Sequence, residues 1–244
     1  MATLRAVARL LRVVGHVLHG LVVVLLSFPR LDVTGRHARI QWWAAKMLRL
    51  LGIGLQQHGA FRTGGTLLLA NHVSWLDIVV IHAVCPRARF VSKADVRHWP
   101  LLSHLVDSAG TLYIERERKR DAMRVVHQIA EALQQGDCVA VFPEGTTGDG
   151  LQLLPFHANL LQAAIATETP VQPVALRFSE PGHPVSPAAA YVGDTTLLQS
   201  LWRIALAHGL QAHVRVLPPL TTRHAERRAL AERVREQVAQ ALAA

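Results

Sequence analysis

A histidine and an aspartate separated by four residues are the first candidates for chemistry in this sequence. They occur in "LLLANHVSWLD" (residues 67–77), where an apolar run ends at Asn71, His72 follows, and Asp77 comes five positions after the histidine. A histidine can take a proton from a weak nucleophile near neutral pH, and a carboxylate on its other ring nitrogen would orient it. The spacing therefore predicts a general base and its carboxylate partner.

The same segment has a structural interpretation that stays open at this point. Ser74 and Asp77 match a capping box for a helix that starts at Trp75, and the carboxylate would then serve only the helix N-terminus. A histidine at the end of a strand can likewise be purely structural. Deciding between the two interpretations requires the neighbouring strand ends.

Two further segments place chemically capable residues directly after apolar runs. "VFPEGTTGDG" (141–150) carries Glu144 and Gly145, and "YIERE" (113–117) ends its apolar run with Arg116. The first could be a plain Pro-Gly turn, and Arg116 could belong to a solvated charge run. Because ligands of α/β proteins bind at the carboxyl ends of parallel strands, the three segments would form one site if their strands are neighbours.

Apolar patterning beyond residue 60 predicts strands that alternate with helices. The predicted strands are 66–71, 88–93, 111–116, 138–145, 171–178 and 211–218, and the predicted helices are 74–84, 100–110, 120–136, 159–167 and 222–243. This alternation indicates an α/β fold with a layered, mostly parallel sheet flanked by helices. The proline-rich stretch 179–196 is predicted to be a surface excursion.

The N-terminal region is predicted to be a membrane-associating pair of helices. Residues 13–28 are nearly all apolar and follow three arginines, and the amphipathic stretch 39–55 contains Trp42 and Trp43, residues typical of a membrane interface. The apolar stretch is short for a full span, and no signal-peptide cleavage site follows it. The positive flank predicts a cytoplasmic N-terminus. The alternative is a pair of buried helices that cap the domain.

Composition restricts the partners and the compartment. The 244 residues are expected to divide into the helical element 1–55 and a domain 56–244, and half of them are hydrophobic. A net charge of +9 favours anionic partners, but dispersed basic residues and only 5% aromatics argue against nucleic acid. Cys85 and Cys138 have no metal-ligand spacing and are predicted to be buried thiols in a reducing compartment.

The motifs together resemble those of the glycerolipid acyltransferase family, whose best-known members are the 1-acylglycerol-3-phosphate (lysophosphatidic acid) acyltransferases. The likeness lies in "NHVSWLD", in "FPEGT" about 65 residues later, and in "SKADVRHWPLLSHLVDSAGTLYIERE", where Lys93 and Arg116 stand at matching places. "PVQPVAL" (170–176) is similar to a fourth family block, so the resemblance spans roughly residues 40–180. It implies a glycerol-3-phosphate acyltransferase-like α/β fold.

The resemblance also implies a reaction. An acyl chain would move from a thioester donor, acyl-CoA or acyl carrier protein, to the free hydroxyl of a lysophospholipid at the cytoplasmic face of the inner membrane. His72 would be the base and Asp77 its partner, and direct attack on the thioester leaves Ser74 no nucleophilic role. No metal and no cofactor besides the donor substrate is expected. The resemblance implies substrate-binding roles for Asn71, Lys93, Arg116, Glu144, Gly145, Thr146 and His157.

The third block departs from the family pattern. "FPEGT" is usually followed by Arg and then Ser, whereas Thr147, Gly148 and Asp149 follow here, and His157 and Asn159 stand where Lys and Gly are common. Loss of one charge-assisted contact would weaken phosphate binding by ~1.5–3 kcal/mol unless another residue substitutes. The candidates among the motif residues are Lys93, Arg116 and His157.

The acceptor is nevertheless expected to be 1-acyl-sn-glycerol 3-phosphate, which would give phosphatidic acid. Lyso-ornithine lipid, or another lysolipid, is the alternative acceptor, because the "FPEGTT" loop is also found with such substrates. A non-catalytic membrane-associated protein is the alternative from another functional class. A hydrolase is disfavoured, since the Gly-x-Ser-x-Gly nucleophile motif is absent.

Overall fold

The computed structural model describes residues 1–93, 102–114 and 119–244. The strands are β1 (Gly54–His58), β2 (Thr66–Ala70), β3 (Ala88–Lys93), β4 (Leu112–Ile114), β5 (Cys138–Val141), β6 (Val171–Ser179) and β7 (Gln211–Val216). The helices are α1 (Ala2–Leu26), α2 (Val33–Leu51), α3 (Leu76–Val84), α4 (Leu102–Ser108), α5 (Lys119–Gln134), α6 (Leu161–Ala166), α7 (Leu197–Leu206) and α8 (Arg227–Ala243). Short 3-10 turns lie at Phe28–Arg30 and Ala158–Leu160.

The seven described strands form one sheet in the order β1-β7-β6-β2-β5-β3-β4. Neighbouring strands run parallel except for the β6–β7 pair, which is antiparallel. The prediction of a mostly parallel α/β sheet is therefore confirmed. The central trio β6-β2-β5 brings together the ends of three parallel strands.

Alternation along β2 explains why the sheet has a helical layer on each face. Leu68 and Ala70 point into a core shared with helices α2, α3 and α7, whereas Leu67 and Leu69 point into a second core shared with α5, α6 and α8. All five residues of β2 are buried, which is the expected environment of a central parallel strand. Both cysteines are also buried and free, as predicted.

Two elements were not predicted from the sequence. Strand β1 is polar ("GLQQH") and half exposed because it lies at the edge of the sheet, so it carries no apolar pattern. Helix α7 begins at a capping box between Thr196 and Gln199, a signal that is present in the sequence. The predicted C-terminal boundary of the amphipathic helical stretch 39–55 was wrong. Helix α2 ends at Leu51 because Gly52 adopts φ +77°, and β1 begins at Gly54.

Helix α1 is attached to the domain by polar contacts on one side. The guanidinium groups of Arg5 and Arg9 donate to carbonyl oxygens at the C-terminal end of α7, at 2.8–3.1 Å. The ring of His16 stacks on Trp43 of α2 with centroids 5.2 Å apart, and its Nε2 lies 2.9 Å from the Trp43 carbonyl oxygen. Gly20 lies directly against the Trp43 indole, where a β-carbon would clash.

The other side of α1 exposes a continuous apolar stripe. Its side chains recur every three or four residues and are between 42% and 77% exposed: Leu4, Val7, Leu11, Val14, Leu18, Val22 and Leu25. By length and composition, the segment Ala2–Arg30 is the one described helical stretch that could cross a membrane. Helix α2, in contrast, buries Ala44, Met47, Leu48 and Leu51 against the sheet. The buried-helix alternative thus describes α2 better than it describes α1.

Candidate active site

The side chains of His72 and Asp77 meet at the carboxyl end of β2. His72 follows the strand by two residues, and Asp77 lies in the first turn of α3, which brings His72 Nδ1 to 2.8 Å from Asp77 Oδ2. Asp77 is fully buried, whereas the His72 side chain keeps 18% of its surface exposed. The carboxylate fixes the tautomer with the proton on Nδ1, so Nε2 is left as the basic nitrogen.

Asp77 also organises the loop that carries His72. Its Oδ2 accepts hydrogen bonds from the backbone N–H groups of Val73 at 2.7 Å and Ser74 at 2.9 Å. The predicted capping box is only half present, because α3 begins at Leu76 and the Ser74 hydroxyl makes no hydrogen bond to the helix N-terminus. The structural and chemical interpretations of Asp77 are therefore compatible, since one oxygen serves both.

Glu144 ties the His72 loop to the loop that follows β5. One carboxylate oxygen accepts from the backbone N–H of His72 at 2.8 Å, and the other accepts from Leu154 N–H at 3.1 Å. Burial raises the pKa of the Glu144 carboxyl, while these two N–H donors act in the opposite direction. Both oxygens are engaged with backbone, so the side chain fixes the site's geometry.

Asn71 joins β2 to β6 beyond the end of their backbone ladder. Its amide donates to the Leu176 carbonyl at 2.9 Å, and its side-chain oxygen accepts from Leu176 N–H at 2.7 Å. The side chain thus imitates one more residue of strand pairing. The consequence is that the end of β6 is held beside His72.

These contacts surround a cavity of about 300 Å³. Its polar wall includes Asn71, His72, Glu144 and Arg177, and its apolar wall includes Leu151, Leu153, Pro184, Val185 and Leu242. The ring of Phe142 stacks on His72 with centroids 3.9 Å apart and holds the imidazole plane. Among the residues described, no group of three or more His, Cys, Asp or Glu side chains is arranged to hold a metal ion.

Three of the remaining predicted site residues, all after β5 in the chain, are not part of the lining of this cavity. Gly145 and Thr146 follow Glu144 but do not line it, and the exposed His157 lies against Gly145, where a β-carbon would meet its ring at 3.3 Å. Gly145 adopts φ +72°, a conformation that favours glycine. Lys93 ends β3, next to β5 in the sheet.

Of the three strand ends that were expected to form one site, those of β2 and β5 are neighbours and that of β4 is not. β2 and β5 are neighbours, so His72 and Glu144 meet, but β4 lies at the far end of the sheet. Three strand spacings separate β4 from β2, roughly 14 Å. Arg116 itself lies outside the described residues.

Sequence reasoning missed Arg177 and the residues of the loop 180–196 that line the cavity. Tyr191 N–H in this loop donates to the Val73 carbonyl at 3.1 Å, and the Thr147 hydroxyl donates to the Tyr191 carbonyl. The predicted surface excursion therefore packs on the His72 loop. The only signal in the sequence was the position of Arg177 at the end of an apolar strand.

A profile of the Acyltransferase family matches residues 53–177, which include β2, the His72 loop, β5 and most of β6. This chain belongs to the Acyltransferase family. Family membership makes it an enzyme and argues against the alternative of a non-catalytic membrane protein. The match extends over the residues that build the cavity's polar wall.

Relatives with two different names resemble this acyltransferase. The lyso-ornithine lipid O-acyltransferase of Pseudomonas aeruginosa is 36% identical, and the alignment covers 99% of this chain and 95% of the relative. The 1-acyl-sn-glycerol-3-phosphate acyltransferase of Neisseria meningitidis is 39% identical over 65% of this chain and 62% of the relative. The resemblance found in the sequence motifs is thus confirmed.

A solved structure has the same fold. The 1-acyl-sn-glycerophosphate (LPA) acyltransferase of Thermotoga maritima superposes with a TM-score of 0.70 and covers 96% of each chain. The two sequences are 17% identical, so this likeness concerns the fold. The overlap over nearly the whole chain confirms the predicted fold class.

Proposed function

We propose that this acyltransferase moves a fatty acyl chain from a thioester to the free hydroxyl of a lysolipid, with His72 as general base. The observation that carries the proposal is the 2.8 Å hydrogen bond between His72 Nδ1 and the buried Asp77 carboxylate. The His72 residue that makes this bond also lines the cavity. In the neutral imidazole this bond places the proton on Nδ1, so Nε2 is the nitrogen that can accept the proton of a substrate hydroxyl.

The proposed reaction is a direct transfer. The acceptor hydroxyl oxygen attacks the thioester carbonyl carbon while His72 Nε2 takes the hydroxyl proton. The tetrahedral intermediate then collapses, the C–S bond breaks, and the imidazolium returns its proton to the departing thiolate. Asp77 stabilises the imidazolium between these two steps, and no enzyme nucleophile takes part.

The donor is proposed to be acyl-CoA or acyl carrier protein, and neither a metal nor another cofactor is required, because the base and the activated thioester suffice. Asn71 and Glu144 are proposed to act through the cavity's shape, since their polar atoms already bond to backbone. The substrate-binding roles expected for Lys93, Arg116, Gly145, Thr146 and His157 remain proposals.

Lyso-ornithine lipid is the acceptor that the comparisons favour. The relative of that name aligns over nearly all of both chains, and second and third relatives of that name occur in Brucella abortus and Rhizobium meliloti, at 34% and 35% identity. The loop residue Thr147 replaces the arginine usual in the family, and its hydroxyl is bonded to Tyr191. Asp149 is exposed between two glycines that line the cavity, and its Oδ1 accepts from the Leu151 N–H at 2.9 Å, so its carboxylate is proposed to meet the ammonium of ornithine at the cavity's edge.

1-Acyl-sn-glycerol 3-phosphate, the expected acceptor from the motif resemblance, is the second candidate. The Neisseria relative carries that name and is slightly more identical over its shorter alignment. Arg177 on the cavity wall supplies a positive charge that could bind a phosphate. Either acceptor presents a hydroxyl to the same base.

The exposed stripe of α1 supports a location at a membrane surface. We propose that α1 lies along one leaflet with its apolar side chains in the lipid, on the cytoplasmic face of the inner membrane. A helix in this orientation would place the enzyme where its lysolipid acceptor is dissolved.

An acceptor comparison tests the proposal. The purified enzyme receives acyl-CoA with lyso-ornithine lipid or with 1-acylglycerol 3-phosphate, and the release of free CoA thiol is followed. We expect turnover with both or with the ornithine acceptor alone, and a higher kcat/KM for the ornithine acceptor. Turnover with the phosphate acceptor alone would reverse the order of the two candidates. The proposed function would be overturned if neither acceptor were acylated, whether the donor is acyl-CoA or acyl carrier protein.

A further inference from the structure

Arg177 is the one lysine or arginine among the described residues that line the cavity beside His72. It lies near the end of β6, on the face that packs against α8, because Leu176 and Phe178 on either side point into the opposite core. The bond between Asn71 and Leu176 fixes this part of β6 next to the His72 loop. The placement of Arg177 is therefore built into the strand pairing.

The guanidinium of Arg177 has no acidic partner in the described part of the chain. Its one described hydrogen bond runs from Nη1 to the Leu242 carbonyl at 3.2 Å, and none of the described ion pairs includes it. The carboxylate of Glu144 shares the cavity wall, but both of its oxygens accept from backbone N–H groups. Several N–H donors and a full positive charge thus remain for a ligand.

A guanidinium with these properties suits an oxyanion, because its planar fork binds two oxygens of a carboxylate or a phosphate. Thr147, where the family usually has arginine, bonds to Tyr191 instead. The positive charge missing from the loop after β5 is thus supplied at the same cavity from β6.

We infer that Arg177 binds the anionic group of the acceptor lysolipid, the carboxylate of an ornithine head or the phosphate of a glycerol phosphate head. The inference rests on the proposed function and adds to it a residue that determines acceptor affinity. Arg177 takes no part in proton transfer, so its contribution lies in binding.

A structural role at the end of α8 is the competing explanation, and the chain offers a matched control for it. Arg215 on the neighbouring strand β7 donates from Nη1 to the Ala241 carbonyl at 3.0 Å, one residue before the Leu242 carbonyl that Arg177 contacts. Both arginines therefore stabilise the same helix end. Only Arg177 also lines the cavity.

The test compares Arg177→Gln, Arg177→Lys and Arg215→Gln in the full-length enzyme. For each, KM for the acceptor and KM for acyl-CoA are measured with lyso-ornithine lipid and, in a second arm, with 1-acylglycerol 3-phosphate. We expect Arg177→Gln to raise the acceptor KM about tenfold or more while the donor KM stays within about twofold. Arg177→Lys should raise it less, and Arg215→Gln should leave both values within about twofold of wild type.

The donor KM serves as an internal control because partial unfolding does not change either KM selectively. If Arg177→Gln does not fold, Arg177→Lys is decisive, since a selective rise in acceptor KM is expected there too. An unchanged acceptor KM in the Arg177 variants, or an equal rise in Arg215→Gln, would overturn the inference. Either result would leave the proposed function standing, because that function is tested separately, by acyl transfer in the wild-type enzyme and by the His72 variants.

Discussion

One carboxylate oxygen of Glu144 accepts the backbone N–H of His72 at 2.8 Å, and the other accepts the N–H of Leu154. The two loops that face the cavity are therefore joined through a buried side chain, in addition to the hydrogen bond that the Gly148 N–H donates to the His72 carbonyl at 2.8 Å. The contact is between neighbouring strand ends, since β2 and β5 are adjacent in the sheet. It makes the position of the imidazole depend on a residue 72 positions away in sequence.

Glu144→Gln should lower both stability and turnover. A glutamine offers one acceptor oxygen, so one backbone N–H would face an amide N–H₂, and the free energy of unfolding should fall by about 1–3 kcal/mol. Urea denaturation and kcat are the measurements. Glu232→Gln, which changes an exposed carboxylate paired with Arg235, is the control and should alter stability by less than about 1 kcal/mol. Equal effects in the two variants would show that Glu144 has no organising role.

Asp77→Asn should lower kcat about 100-fold or more while most of the folded structure is kept. The asparagine oxygen can still accept from the Val73 and Ser74 N–H groups, but it carries no charge to stabilise an imidazolium. The control is Asp194→Asn, an exposed carboxylate outside the cavity. A folded Asp77→Asn enzyme with a near-wild-type kcat would show that the carboxylate serves the loop alone.

The α1 stripe should determine binding to lipid. The double change Leu11→Glu and Leu18→Glu places two charges in the exposed apolar stripe and should weaken sedimentation with anionic phospholipid vesicles about tenfold or more. Met123→Glu changes an exposed apolar residue of α5 and is the control. Equal vesicle binding by the two variants would place the membrane contact elsewhere.

Stability should decrease on acidification partly because of His82. Burial lowers the pKa of its imidazole to about 4, and the ring lies edge-on to Phe90 with centroids 4.9 Å apart. The pKa of an unfolded histidine is about 6.5, so between pH 7 and pH 5 the unfolded chain gains a proton that the folded chain does not. The stabilisation present above the unfolded pKa is thus lost as pH falls towards about 4.

This contribution can be isolated by comparing wild type with His82→Met by urea denaturation at both pH values. The loss of unfolding free energy from pH 7 to pH 5 should be smaller by about 2 kcal/mol in the variant, because methionine does not titrate. Identical losses in the two proteins would mean that folding does not lower the pKa of His82.

The part of the site that was predictable from sequence is the part that is local. His72 and Asp77 lie on one loop and the adjoining helix turn, so their spacing alone brings them within hydrogen-bond distance. The amphipathic pattern of α5 and the apolar run of β2 likewise depend only on neighbouring residues.

The rest depends on which strands are neighbours, which periodicity does not reveal. Arg177 faces the cavity because β6 lies beside β2, and its role could not be separated from an ordinary strand-end arginine in the sequence. The same order of strands places β4 at the far edge, so the strand before Arg116 does not adjoin β2. Strand β1 escaped prediction because an edge strand with exposed glutamines lacks an apolar face.

The central claim is that the imidazole of His72 removes the acceptor's proton, and kcat of His72 variants tests it most directly. His72→Ala removes the base, and His72→Gln retains a donor for Asp77 without a basic nitrogen, so both should reduce kcat by about 10²–10⁴-fold in folded protein. His208→Ala, an exposed histidine outside the cavity, should turn over like wild type. A folded His72→Gln or His72→Ala enzyme that retains half or more of the wild-type kcat would contradict the account.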